Sequence, residues 1–130
     1  MKLVIRGRPA TKKNSSRVVR NGRFIRVLPS KAFVEYERMA LKQIGMLGQK
    51  TITGPVIVQC RYWLRDRRWW PDLVGLLQAT SDILQSAGII EDDKNIVSYA
   101  DSKIMGLDKV NPRVEIEIIE ALWEINEVQG

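Results

Sequence analysis

Two carboxylates, Asp72 and Asp93, are the residues best placed to do chemistry in this sequence. Asp72 opens the stretch "PDLVGLLQATSDIL", and Asp93 closes the acidic cluster Glu91–Asp92–Asp93 just beyond the turn that ends it. A hard divalent cation takes oxygen ligands, usually a carboxylate or two with water and phosphate completing its shell. Carboxylates on adjacent elements can converge although far apart in sequence. Such a pair suits phosphodiester hydrolysis, in which a metal activates water and neutralises charge on the transition state. Each acid also has a plainer reading: Asp72 as a helix cap, the 91–93 cluster as a solvated turn. Spacing alone leaves both readings open.

Composition removes most other catalytic designs. The 130 residues include no histidine and one cysteine. Ser-His and Cys-His nucleophiles, histidine metal sites and multi-cysteine zinc cages are therefore excluded. Cys60 reads as a small core residue. No apolar run is long enough to span a bilayer, and "MKLVIRGRPATKK" has too short an apolar core for a secretory leader. A membrane partner is not expected.

The formal net charge is +6, distributed asymmetrically. Before Glu35 there are ten Lys or Arg residues and no acid. A solubilising surface would explain scattered lysines; an arginine-rich run without acidic neighbours points instead to a polyanion, with nucleic acid favoured over membrane. Lys12, Lys13, Arg17, Arg20, Arg23 and Arg26 are candidate phosphate contacts. "WLRDRRWWP" adds Arg65, Arg67 and Arg68 with three tryptophans directly upstream of Asp72. Trp63 is expected to seal the core, whereas Trp69 or Trp70 is available to stack on unpaired bases or contact a second subunit.

The elements that must hold these residues in place are legible from periodicity. "KLVIRG" predicts a strand, and "RVVRNGRFIRV" a hairpin turning at Asn21–Gly22 in type I′ geometry. Ser30 caps a helix with an apolar face of Phe33, Tyr36, Ala40, Ile44 and Leu47. "GPVIVQCRYWL" is a strand with Val56, Val58, Cys60 and Tyr62 on one side. A second helix runs from Leu73 to Ala87, burying Leu73, Leu76, Leu77, Thr80 and Leu84, and Gly88 ends it. "KNIVSYADSKIM" and "PRVEIEII" give two more strands, and "ALWEINEV" a short terminal helix. No linker divides the chain, so residues 1–130 form one α/β domain, a mixed sheet packed by two main helices.

These motifs resemble the RusA-type Holliday junction resolvases (crossover junction endodeoxyribonucleases). The family pattern is similar to P-D-x-D-N-L-x-K-x₃-D-x-L, a short turn, a D-D pair and a strand bearing a lysine. Here the corresponding text is "PDLVGLLQATSDIL", "QSAGIIEDDKNIV" and "SYADSKI". The likeness continues into "GRPATKKNSSR" and "NPRVEIEI", most of the chain. It implies Asp72 and Asp93 as catalytic metal ligands, Asp92 as an assisting one, Lys103 as a catalytic cation and Asp82 as a structural helix aspartate. It further implies Mg²⁺ (Mn²⁺ as a substitute), a homodimer, a four-way junction or other branched DNA as substrate, and the cytoplasm of a bacterium or phage-infected cell. Lys12, Lys13, Arg17, Arg20, Arg67, Arg68 and Trp69 form the expected DNA-binding set.

Three positions depart from the pattern. Val74 replaces the second aspartate, Gly75 the asparagine and Gln78 the helix lysine. Positions 74 and 78 share a helix face, so one negative and one positive charge are missing together. Paired loss leaves no orphaned charge and suits a variant site, with Lys103 or Lys94 supplying the cation. It also suits an inactive junction-binding protein with the same fold.

Overall fold

The computed structural model describes residues 1–12, 17–28, 30–68 and 70–121, with 17–19, 21 and 24–28 described as backbone only. Lys13, Trp69, the side chains of Arg17 and Arg26, and the helix expected over 122–128 lie outside the described residues. Among the described residues, seven strands and two α-helices follow in the order β1 (Lys2–Arg6), β2 (Arg17–Asn21), β3 (Phe24–Leu28), α1 (Lys31–Gly45), β4 (Val56–Leu64), α2 (Leu73–Ser86), β5 (Ile96–Ser98), β6 (Lys103–Leu107) and β7 (Arg113–Glu120). A single 3₁₀ turn, Asp93–Asn95, precedes β5.

The main sheet is mixed, in the order β1-β7-β4-β5, with β6 also on β4. β7 runs antiparallel to both β1 and β4, whereas β5 and β6 pair with β4 in parallel. β4 explains the layering. Alternate residues Val56, Val58, Cys60, Tyr62 and Leu64 are buried, and they join Leu3, Ile5, Val114, Ile116 and Ile118 in one core. Tyr36, Ala40 and Ile44 of α1 and Leu76, Ile83 and Leu84 of α2 close that face. The other face of the sheet carries Gln59, Arg61, Trp63, Arg113, Glu115 and Glu117, all of them half-buried. Trp63 belongs to this second face. It is stacked under Arg113, its guanidinium 4.0 Å from the ring centroid, rather than sealing the helical core.

Two local expectations shift. The hairpin pairs Asn21 with Phe24, so Gly22 and Arg23 form the turn. Gly22 takes φ +62° and Arg23 has no positive φ, the type II′ pattern rather than I′. The strand expected over 94–105 is broken at Tyr99–Ser102, where Asp101 adopts φ 55°. Ser102 repairs the interruption, its Oγ accepting from the Cys60 N–H at 2.9 Å where the β-ladder has no backbone partner. That excursion carries Tyr99 out of the sheet towards α2.

Candidate functional site

α2 is the element around which the predicted residues gather. Asp72 has extended backbone angles and caps the helix, one carboxylate oxygen accepting from the Gly75 N–H at 3.3 Å. Gly75 lies against that carboxylate. A Cβ there would stand 2.6 Å from Asp72 Oδ1 and 3.2 Å from Thr11 Cγ2, so this close approach admits no side chain without displacing the acid.

Val74 and Gln78, one turn apart, form a ridge between two cavities. The larger, about 430 Å³, is lined by Val74, Leu77, Gln78, Ser81, Asp93 and Tyr99. The smaller, about 230 Å³, is lined by Thr11, Lys12, Val74, Gly75, Gln78, Ala79 and Asp82. Val74 is 72% exposed where it borders both cavities.

Asp93 reaches the larger cavity because the chain after α2 turns back along the helix. Its N–H donates to Gln85 Oε1 at 2.8 Å, which pins the 3₁₀ turn to the last turns of α2. Asp72 stands at the other end of the helix and is not among the residues lining this cavity. Asp92 is occupied locally. It caps the 3₁₀ turn by accepting from the Lys94 N–H at 2.9 Å and lies 3.9 Å from the Lys94 ammonium. Among the described residues no three acidic side chains converge as a metal cage. The cavity has room for a hydrated ion, and its polar side-chain groups are a carboxylate, an amide and two hydroxyls, which suits a hard cation held by few carboxylates.

Lys103 is not brought to this cavity. It pairs in register with Arg61, and register partners point to the same face of a sheet. Arg61 lies on the face away from α2, and Asp101 accepts from both cations, at 3.2 Å from Arg61 and 3.5 Å from Lys103. Among the described residues, Lys12 is a lysine that does meet α2. Its ammonium lies 2.8 Å from Asp82 Oδ2, at the rim of the smaller cavity beside Gln78.

Other basic residues follow the N-terminal half of the helix. Arg8, not singled out by its sequence context "GRPA", donates to the Arg68 carbonyl at 2.9 Å and lies 3.7 Å from Asp66. The segment after β1 is thereby fastened to the loop that carries Arg65, Arg67 and Arg68, all exposed. Trp70, 49% exposed, stands two residues before Asp72. Arg20 and Arg23 are exposed on the hairpin.

Beneath α2 the core supplies no ionised nucleophile. Burial pushes the Cys60 thiol up to about 11 and raises the Tyr62 phenol as well. Cys60 is therefore a packed, inert thiol. Two residues missed by sequence reasoning, Ser81 and Tyr99, line the larger cavity, their hydroxyl oxygens 2.7 Å apart. No local pattern announces such a pair, because they meet only through the break between β5 and β6.

The family model described as "Endodeoxyribonuclease RusA" matches residues 6–119. No curated protein matches the chain. The match runs from the last residue of β1 almost to the end of β7 and includes α2 with both of its cavities. Members of the family bind branched DNA, act on Holliday junctions and in general depend on a divalent metal. Fold and matched region together place this chain in the RusA endodeoxyribonuclease family.

Proposed function

We propose that the protein is a Mg²⁺-dependent, structure-selective endodeoxyribonuclease that resolves four-way junctions by paired symmetric nicks. The observation that carries this reading is the placement of Asp93 in an open cavity on α2, with Lys12 held across the Val74–Gln78 ridge. Acid and base thus flank one helix face, as a phosphodiester and its counter-charge require.

Asp93 would hold the metal ion in the cavity, and Mn²⁺ would substitute for Mg²⁺; Asp72, which caps α2, and Asp92, which caps the 3₁₀ turn, are the further ligands that the family resemblance implies. Bound there, the ion supplies charge neutralisation at the phosphate and a lower pKa for water. The protein's own residues bind and orient the strand. Lys12 meets a phosphate oxygen, Arg67 and Arg68 bind neighbouring phosphates, and Arg20 extends the contact along the duplex. Lys13, Arg17 and Trp69 remain members of the proposed DNA-binding set on sequence grounds. Lys103, on the opposite sheet face, is left out of the catalytic set. A two-fold symmetric junction calls for a homodimer with two sites. The setting proposed is the cytoplasm of a bacterium or a phage-infected cell, during DNA recombination.

The second reading, a junction-binding protein without catalysis, is favoured by one observation: Val74 and Gln78 put no charge on the ridge. A labelled four-way junction and a linear duplex of the same sequence, each with and without Mg²⁺, separate the two. Symmetric nicks on the junction alone, only with Mg²⁺, support the nuclease. Tight binding without nicks supports the second reading.

A further inference from the structure

Two neighbouring residues of α2 make the same bond. Thr80 Oγ1 donates to the Leu76 carbonyl at 2.9 Å and lies 2.7 Å from Tyr62 Oη. Ser81 Oγ donates to the Leu77 carbonyl at 2.7 Å and lies 2.7 Å from Tyr99 Oη. A hydroxyl has one hydrogen and a carbonyl oxygen none. The Ser or Thr hydrogen therefore fills the contact with the carbonyl, and each tyrosine must be the donor in its own pair.

The pairs differ in what surrounds them. Tyr62 is fully buried and completes the core. Tyr99 is 39% exposed and lines the larger cavity together with Asp93. Its hydrogen is committed to Ser81, so Oη can offer the cavity only lone pairs. The Asp93 carboxylate, whose backbone N–H is bonded to Gln85, is a second acceptor in the same cavity. Two acceptors repel a phosphate oxygen. Beside the ion that Asp93 would hold, they suit a molecule with two hydrogens to give and a lone pair to spare, which is water.

We propose that Tyr99 is a positioning residue that, with Asp93, orients the attacking water of the nuclease reaction; the inference rests on the nuclease reading above. In the step, the water oxygen bonds to phosphorus and the P–O3′ bond breaks. The water gives up a proton to solvent and O3′ takes one from solvent, so one water adds across the bond. Tyr99 accepts a hydrogen bond throughout and transfers no proton.

The test is Tyr99→Phe beside wild type on the four-way junction with Mg²⁺. It measures the single-turnover nicking rate, junction affinity, melting temperature, and the share of 5′-methyl phosphate ends formed in water–methanol. Methanol has a single hydroxyl hydrogen and satisfies only one acceptor, so loss of Oη removes part of the preference for water. The expected result is a rate lower by about tenfold with affinity within about twofold of wild type. Unchanged melting and a larger methyl ester share complete it. An unchanged product ratio, with or without a slower rate, overturns the proposal while leaving the nuclease reading intact. If wild type binds the junction but does not nick it, the nuclease reading fails and this inference falls with it.

Discussion

Lys12 Nζ lies 2.8 Å from Asp82 Oδ2, an ion pair that ties the basic N-terminal segment to the side of α2. Both side chains remain partly exposed, at 46% and 23%, so the pair adds little to stability, on the order of 1 kcal/mol or less. Its effect is positional. It keeps a cation at the rim of the cavity shared with Val74, Gly75 and Gln78.

If that cation serves DNA, Lys12→Ala weakens binding to junction and linear duplex alike, and the slope of log affinity against log salt becomes shallower by about 0.9. Asp82→Asn removes the competing carboxylate, and affinity is expected to rise a few-fold. Fluorescence anisotropy across a salt series measures both. A salt slope unchanged by Lys12→Ala would remove the phosphate assignment.

Gly75→Ala sets helix propensity against the close approach of Asp72. An alanine inside a helix is ordinarily favoured over glycine by about 1 kcal/mol. Here the new Cβ would sit 2.6 Å from Asp72 Oδ1, and losing the cap costs about 1 kcal/mol. Thermal melting should move little, because the two effects oppose each other. Nicking should fall markedly, because the carboxylate has been displaced. Full activity in this variant would show that the position of Asp72 is irrelevant to the reaction.

The ridge can be recharged. Val74 is exposed at the second position of α2, where a carboxylate needs no burial and meets the positive end of the helix dipole. Val74→Asp with Gln78→Lys is expected to nick faster than wild type by about tenfold, if each charge stabilises the transition state as charge-assisted hydrogen bonds usually do. Calorimetric titration with Mg²⁺ should show tighter binding. Activity abolished by the double change would mean that the site operates with a different ligand set.

Stability should decline in alkali. Burial pushes the Cys60 thiol from its usual 9.0 up to about 11, and raises Tyr36 and Tyr62 in the same direction. Between those values the folded chain holds a proton on Cys60 that the unfolded chain releases. Stability is therefore full below about pH 9 and lost progressively as pH rises from there towards 11. Denaturant titrations from pH 7 to 11 measure the trend, and Cys60→Ala should reduce it.

The sequence disclosed most about those elements whose pattern and end signals agree. α2 was bounded by Asp72 and Gly88, and its observed span, Leu73–Ser86, falls between them. In β4, strict alternation identified the buried set Val56, Val58, Cys60 and Tyr62. The hairpin turn slipped by one residue because Asn21 and Gly22 both tolerate positive φ, and only cross-strand register decides between them. Lys103 shows a deeper limit. Alternation says that neighbours in a strand face opposite ways, but not which way leads to α2; that depends on its pairing with Arg61. Tyr99 was invisible for a related reason. Its place is fixed by a strand break in which a Ser102 hydroxyl does the work of a backbone group.

The most direct measurement compares wild type with Asp93→Asn on a labelled four-way junction in Mg²⁺, following single-turnover nicking, junction binding and melting together. Among the described residues the Asp93 side chain has no hydrogen-bond or ion-pair partner, so the substitution should change stability by less than about 0.5 kcal/mol. The expected result is nicking reduced by at least about a hundredfold with junction affinity and melting preserved, as for loss of an interaction made in the transition state. Equal nicking by both proteins would contradict the assignment of the α2 cavity as the nuclease site.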